Sequence, residues 1–186
     1  MAVEDINAAG GVNGQKLELQ IGDDACDPKQ ATAVANKMVS DKVVFVAGHY
    51  CSGSSIPASD IYKEAKILQI TPASTNIKLT DDAFAKGNTT VFRTCGRDDV
   101  QGATVGAYIL KNNKNAKIAI LHDKSPYGKG VADETVKALN KGGVREAMYE
   151  AYNDTDKDFT ALINKMKQAQ DRHHRARRLP HRRRAC

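Results

Sequence analysis

The sequence lacks the long hydrophobic runs and paired cysteines that would place it in several large classes. It contains no stretch of about 18 apolar residues, the length that a membrane-spanning helix needs. Its start is acidic and has no apolar region of the signal-peptide kind, so we expect the chain to remain in the cytoplasm. Its four cysteines form no CxxC pair, which argues against a zinc or thioredoxin-type site. Any two of them can pair in a disulfide, and the residues alone do not select one.

Short signatures of catalysis and phosphate binding are also missing. Neither a Walker A motif nor GxGxxG occurs, so a nucleotide phosphate is not favoured. GxSxG is absent too, although an α/β hydrolase with Ser52 as nucleophile and His49 or His122 as base stays open as an alternative. The aspartates at positions 23, 24 and 27 do not have the spacing of an EF-hand loop. We therefore expect no catalytic residue, no metal and no cofactor, with both histidines in structural roles.

The net charge of +6 is concentrated in one short segment. Residues 171–186 contain seven Arg and one Asp, which account for +6, whereas residues 1–170 carry 21 basic and 21 acidic residues. A body without net charge is not drawn to a polyanion by a general positive field. A basic-tailed nucleic-acid-binding protein is therefore the other alternative, and it depends on the tail alone.

Short apolar runs alternate with longer amphipathic ones along the chain. Strands are predicted at 17–21, 43–47, 67–70, 91–92, 118–121 and 147–151, with 43–47 buried because it is apolar throughout. Helices are predicted at 28–40, 54–65, 98–113, 127–141 and 157–168, the first with Asp27 as N-cap and Pro28 at its first position. The residues between the strands at 67–70 and 91–92 are predicted as a loop. This alternation indicates an α/β fold with parallel sheets and crossover helices.

Three of the predicted strands end in small or hydroxyl-bearing residues. Ser52 follows the strand 43–47; Ala73, Ser74 and Thr75 follow 67–70; Tyr127 follows 118–121. Ligands of such sheets lie beyond the carboxyl ends of the strands. Small side chains let a ligand reach backbone N–H groups, and a helix N-terminus carries partial positive charge, so a compact anion such as a carboxylate is favoured. Capping of helices and turns by Ser and Thr is the alternative interpretation.

Six stretches within residues 3–170 resemble the leucine/isoleucine/valine-binding proteins, periplasmic receptors of branched-chain amino acid ABC transporters. They are, in order, EDINAAGGVNGQKLEL, DDACDPKQATAVANKMV, GHYCSGSSIPASDIY, ITPASTN, FRTCGRDDVQG and AILHDKSPYGKG. The resemblance implies a type I periplasmic-binding-protein fold with two Rossmann-like lobes, truncated here at both ends. It assigns residues 1–96 to a lobe I fragment, 97–170 to a lobe II fragment and 171–186 to an aberrant basic tail.

The resemblance also implies what the protein binds. A family member closes its two lobes on a branched-chain L-amino acid in the periplasm, without catalysis, and works as a monomer with the membrane permease of an ABC transporter. Ser52, Ala73 and Thr75 match positions that hold the ligand, and Ser74 stands among them where the family often has Ala. Tyr127 matches an aromatic residue that the second lobe contributes.

Cysteines and chain ends carry further implications of the resemblance. Cys26 and Cys51 match the family's disulfide, which leaves Cys95 free. The family's first, central strand is missing, so the strands at 17–21 and 43–47 are expected to face a gap, and the fragment is expected to bind ligand weakly or not at all. Past residue 170 the family has an apolar strand and Gly-Gly-Tyr-His, which the tail codons can give in a shifted frame. Residues 171–186 are therefore predicted to be a frameshift product without specific affinity for nucleic acid.

Overall fold

The computed structural model describes the backbone of residues 1–178 and the side chains of residues 1–169, so the frameshift prediction for 171–186 lies outside the described side chains. The helices are α1 (Ala2–Ala8), α2 (Pro28–Ser40), α3 (Ser52–Glu64), α4 (Lys78–Ala85), α5 (Asp98–Asn112), α6 (Pro126–Lys141) and α7 (Thr160–Arg178). The strands are β1 (Phe45–Ala47), β2 (Leu68–Thr71), β3 (Val91–Arg93), β4 (Ala119–His122) and β5 (Met148–Ala151). None of the described helices is long and apolar enough to span a bilayer.

The chain forms two compact units, each with its own sheet. Unit 1 comprises Met1–Ala73 and Leu79–Thr94, and unit 2 comprises Ser74–Lys78 and the residues from Cys95 onward. Unit 1 contains the sheet β1-β2-β3, in which Val46 lies opposite Gln69. Unit 2 contains the pair β4-β5. Every one of these pairings is parallel, which confirms the predicted α/β class.

The core of unit 1 forms where α2 packs on α3. The prediction of α2 is confirmed to the residue: the Asp27 side chain accepts a hydrogen bond of 2.8 Å from the Gln30 N–H, and Pro28 occupies the first turn. One face of α2 buries Ala35 and Met38 against Ala58, Tyr62 and Ile67. Burying a large apolar side chain contributes about 1.5–3 kcal/mol, so this contact stabilises the packing of α2 on α3.

The predicted strand at 17–21 is wrong for the described structure. The segment joins no sheet of the described residues, and Leu17, Leu19 and Ile21 are exposed, Ile21 by 82%. The Asn7 side-chain amide donates to the Leu17 carbonyl and accepts from the Leu17 N–H, so the segment is tied to α1 and not to a strand. A strand needs a neighbour for its backbone groups. Alternation of apolar residues predicts which faces a strand would have, but it does not supply that neighbour.

The prediction that 43–47 is buried is also wrong. β1 begins at Phe45 and lies at the edge of the sheet, with Val44 84% exposed and Phe45 45% exposed. A continuous apolar run is typical of a strand covered on both faces, but here only the helix side is covered. Val46 is the residue of β1 that packs on the core cluster between α2 and α3.

Helix α4 occupies part of the stretch that was predicted to be a loop. Leu79 and Ala83 lie one turn apart on α4 and are buried together with Val91, with Ile56 packed against them. The prediction failed because threonines and asparagines dominate the stretch, whereas the helix depends on two apolar residues at i and i+4.

Unit 2 depends on close contact between α5 and α6. Gly102 and Gly106 lie one turn apart on α5, and a Cβ at Gly102 would stand 2.5 Å from the Glu134 Cβ and 2.6 Å from the Thr135 nitrogen. A Cβ at Gly106 would stand 2.5 Å from that of Ala138. These glycines therefore let the two helices approach at backbone distance.

Candidate functional site

The carboxyl ends of β1 and β2 meet at one edge of the unit 1 sheet. The Gly48 N–H donates to the Ile70 carbonyl at 2.9 Å, which extends the ladder beyond β1. The Thr71 hydroxyl donates to the His49 carbonyl at 2.7 Å and accepts from the Ala73 N–H at 3.2 Å. Thr71 therefore joins the β1–α3 loop (residues 48–51) to the residues after β2. Sequence analysis assigned no role to Thr71.

Ser52 begins helix α3 directly after the β1–α3 loop. Cys51 is the N-cap, and its carbonyl accepts from the N–H groups of Ser54 and Ser55 at 3.0 Å and 2.9 Å. The Ser52 side chain is 2% exposed. This sheet edge therefore brings together the start of α3, where Ser52 lies at the partially positive end of the helix, and the residues after β2, which include Ala73.

A network of hydrogen bonds between Asp24, His49, Tyr62 and Ser54 supports the β1–α3 loop. His49 Nδ1 lies 2.5 Å from Asp24 Oδ2, and Nε2 lies 3.0 Å from the Tyr62 hydroxyl. Asp24 Oδ1 also accepts from the Ser54 hydroxyl at 3.0 Å and from the Cys26 N–H at 2.7 Å. Sequence analysis weighed Asp24 only as a metal ligand and missed this role, because nothing in the spacing of Asp24 and His49 shows that they meet.

The network shifts the pKa values of its acidic members. Burial acts to raise the pKa of Asp24, but the hydrogen bonds from His49, Cys26 and Ser54 outweigh it, and the pKa lies below the usual value. Burial, together with the negative charge of Asp24, raises the pKa of Tyr62 to about 12. Asp24 is therefore ionised and Tyr62 is protonated at neutral pH.

A disulfide joins Cys26 to Cys51, as the resemblance implied, with the two Cα atoms 5.5 Å apart. Cys95 is free, which agrees with the same prediction. The aspartates weighed as metal ligands have other partners: Asp27 caps α2, and the Asp23 carboxylate accepts from the Ala25 N–H at 2.9 Å. Among the residues that the structure describes, no cluster of three or more His, Cys, Asp or Glu side chains could hold a metal ion.

The remaining predicted site residues belong to unit 2. Ser74 is fully buried, and Thr75 is 9% exposed, with a hydroxyl that has no hydrogen-bond partner among the described residues. The Thr75 carbonyl accepts from the Asp98 N–H at 3.0 Å, and the Asn76 side chain donates to the Pro126 carbonyl at 2.5 Å. Segment 74–78 is thus held between the beginnings of α5 and α6.

Tyr127 lies in the first turn of α6, beside the residue that Asn76 contacts. Ser125 caps this helix by accepting from the Gly128 N–H at 2.9 Å, and the Tyr127 side chain is 48% exposed. His122, at the end of β4, is buried and accepts from the Lys124 N–H at 3.0 Å. Within unit 2, the fold therefore brings the Thr75 segment and the start of the helix that carries Tyr127 together.

Residues 1–170 match the periplasmic binding protein family, and the chain belongs to that family of solute-binding proteins. This confirms the membership predicted from the six sequence stretches. Over 168 residues the chain is 53% identical to the Leu/Ile/Val-binding protein homolog 1 of Brucella abortus (strain 2308), a match that covers 90% of this chain and 44% of that protein.

A second relative and a solved structure are also similar to this chain over most of its length. The leucine-, isoleucine-, valine-, threonine-, and alanine-binding protein of Pseudomonas aeruginosa is 51% identical over 169 residues, which is 91% of this chain and 44% of that protein. The branched-chain amino acid transporter substrate binding protein of Streptococcus pneumoniae, solved in complex with isoleucine, superposes with a TM-score of 0.73 at 30% identity and covers 89% of this chain and 46% of that one. The chain thus spans less than half the length of these relatives.

Proposed function

We propose that this chain is part of the substrate-binding component of an ABC transporter for branched-chain L-amino acids. The whole protein works in the periplasm as a monomer, binds leucine, isoleucine or valine without catalysis and passes it to a membrane permease. The relatives that carry these amino acids in their names support this assignment. Unit 1 and unit 2 correspond, in this proposal, to fragments of the two lobes.

The observation that carries the proposal is the meeting of the β1 and β2 ends in unit 1. The Thr71 bridge places the loop before Ser52 beside the N–H of Ala73, and α3 begins at Ser52. Hydroxyls and N–H groups at the positive end of a helix suit a carboxylate. In the proposal, Ser52 and the Ala73 main chain hold the acid group of the amino acid.

The buried hydroxyl of Thr75 supports a second contact. A buried polar group without a partner costs about 1–3 kcal/mol, and a ligand that accepts its hydrogen bond recovers that energy. Thr75 Oγ1 is such a group among the described residues. In the proposal, Thr75 bonds the ligand, Ser74 shapes the wall beside it and the exposed ring of Tyr127 covers the bound amino acid.

The buried histidine beside Ser52 supports a binding function over catalysis. Both ring nitrogens of His49 have side-chain partners, Asp24 and Tyr62. A general base must be within reach of the proton that it removes from the nucleophile. His49 is instead bonded to Asp24 and Tyr62, so a hydrolase with Ser52 as nucleophile and His49 as base is disfavoured.

The proposal is tested by titrating this chain with L-leucine while backbone amide signals are followed by NMR. We expect shifts at residues 51–53, 73–75 and 127. The dissociation constant should be no tighter than about 1 mM, which is about −4.1 kcal/mol, because the chain spans less than half of its relatives. Thr75→Val, which keeps the shape and removes the hydroxyl, should weaken the shifts. Ser59→Ala is the matched control, since the Ser59 hydroxyl donates within α3 to the Ile56 carbonyl at 2.7 Å.

Leucinamide serves as the ligand control because it keeps the side chain and the ammonium but lacks the carboxylate. Equal shifts with leucinamide and leucine would refute the carboxylate cradle. Shifts that avoid both segments would refute the site assignment, and a micromolar dissociation constant would refute the expected weak binding.

A further inference from the structure

Two segments of unit 1 are joined by independent bonds at the same place. The acidic loop (residues 23–27) meets the β1–α3 loop through the Cys26–Cys51 disulfide and also through the contact of Asp24 with His49. In each loop the cysteine is two residues after the hydrogen-bonded side chain. The covalent and the noncovalent bond therefore connect equivalent positions of the two loops.

Asp24 fixes both cysteines at once. One carboxylate oxygen accepts from the Cys26 N–H at 2.7 Å, which orients the backbone of that cysteine directly. The same carboxylate bonds His49 and the Ser54 hydroxyl, which lie on either side of Cys51 in sequence. None of these bonds involves a sulfur atom, so they do not require the disulfide.

The His49 side of the contact is rigid. His49 is 7% exposed, and its ring stacks on Tyr62, which is buried in the α2–α3 core. The His49 carbonyl accepts from the hydroxyls of both Ser55 and Thr71. A charge-assisted hydrogen bond in such a buried setting is stronger than a neutral one. A group held this firmly can position the residues next to it in sequence.

We propose that Asp24 and His49 form a noncovalent clamp that aligns Cys26 and Cys51 for oxidation and keeps the β1–α3 loop in place when the disulfide is reduced. Asp24 and His49 are positioning residues in this role. The clamp raises the effective concentration of each thiol at the other, since two groups held in place react more readily than two free ones. The inference concerns the loop itself and holds whatever ligand the protein binds.

The bridge forms by exchange with a low-molecular-weight disulfide such as oxidised glutathione. The thiolate of one cysteine attacks the glutathione disulfide, releases one glutathione thiol and forms a mixed disulfide. The second cysteine then displaces the other glutathione. The two protein thiols lose two electrons and two protons in total, and one glutathione disulfide becomes two glutathione thiols.

The test measures the equilibrium constant of this exchange for the full chain. The chain is equilibrated in glutathione buffers of fixed ratio, free thiols are alkylated, and the fraction of Cys26 joined to Cys51 is read by mass spectrometry of proteolytic fragments. We expect His49→Gln and Asp24→Asn to lower the constant about tenfold, which corresponds to about 1.4 kcal/mol. Asp60→Asn, which removes an exposed ion pair with Lys86 at 2.9 Å elsewhere in unit 1, should leave it unchanged.

A milder variant protects the test against unfolding. Ser54→Ala removes one bond to Asp24 and should lower the constant about threefold, by the same free-energy scale. Slow exchange of the Gln69 amide, which donates to the Thr90 carbonyl at 2.8 Å, reports that the sheet is intact. If His49→Gln and Asp24→Asn unfold unit 1, the exchange constant of the Ser54→Ala chain tests the proposal instead. Constants equal to that of the unsubstituted chain in the folded variants would overturn the proposal.

A second measurement examines the reduced state. In a Cys26→Ser, Cys51→Ser chain the amides of Ser54 and Ser55 should stay protected from hydrogen exchange, and adding His49→Gln should remove the protection while Gln69 stays protected. Loss of protection in the Cys26→Ser, Cys51→Ser chain with His49 intact would mean that the disulfide, and not the clamp, holds the loop, and would overturn the proposal.

Discussion

Gly102→Ala tests the close packing of α5 on α6 in unit 2. The added Cβ would lie 2.5 Å from the Glu134 Cβ, 2.6 Å from the Glu134 carbonyl carbon and 2.6 Å from the Thr135 nitrogen. Two of these atoms are backbone, so they can retreat only if the helices separate. Overpacking of this kind costs about 1–3 kcal/mol.

Helix propensity acts in the opposite direction. Alanine is more favourable than glycine inside a helix by about 1 kcal/mol. Because the contact is with backbone, we take the upper part of the overpacking range and expect a net loss of about 1–2 kcal/mol in the free energy of unfolding of unit 2.

Urea unfolding followed by circular dichroism, with hydrogen exchange of the α5 and α6 amides to locate the change, measures this loss. Gly96→Ala is the matched control, because nothing lies within 4 Å of its Cβ position. A Gly102→Ala chain as stable as the unsubstituted one, or more stable, would show that propensity dominates and that the helices do not need the glycine.

Two more perturbations follow from side-chain contacts near the start of α2. Asp27→Ala should destabilise unit 1 by about 1 kcal/mol, because it removes the acceptor of the Gln30 N–H at the N-cap, and thermal unfolding of the two chains compared side by side checks this. The pKa of Asp24 lies below its usual value in the folded state, so the stabilising contribution of this carboxylate is complete above the usual pKa and is lost as the pH falls through the lower pKa of the folded state. Urea unfolding between neutral pH and pH 2 should therefore show a steeper acid loss than in Asp24→Asn, and identical slopes would contradict the role of this carboxylate.

Local signals in the sequence were enough to predict a helix whose first residues include an N-cap and a proline. The α2 prediction was confirmed to the residue because Asp27 and Pro28 mark its beginning. The strand predicted at 17–21 and the burial predicted for 43–47 were wrong for a different reason: a strand's neighbours lie far away in sequence, and periodicity does not contain them. Helix α4 was missed because its apolar pair is short and surrounded by turn-forming residues.

The sequence predicted some residues of the candidate site but not the contacts that support them. Small and hydroxyl-bearing residues after the predicted strands were visible from the order of the elements, and the Thr71 bridge joins the loop before Ser52 to Ala73. The supporting contacts were not visible. Asp24 lies 25 residues before His49, and only the folded chain shows that the two side chains meet.

The disulfide brings the N-termini of two helices together, and their partial positive charges therefore lie close to each other. Cys26 precedes the N-cap of α2 and Cys51 is the N-cap of α3, and the two helices bury their later turns against each other, so they run side by side in the same direction. Parallel helix dipoles repel when their positive ends are adjacent. The ionised carboxylate of Asp24 lies at that junction and offsets the repulsion, so the bridge and the acid together make a parallel helix pair tolerable where an antiparallel pair would need neither.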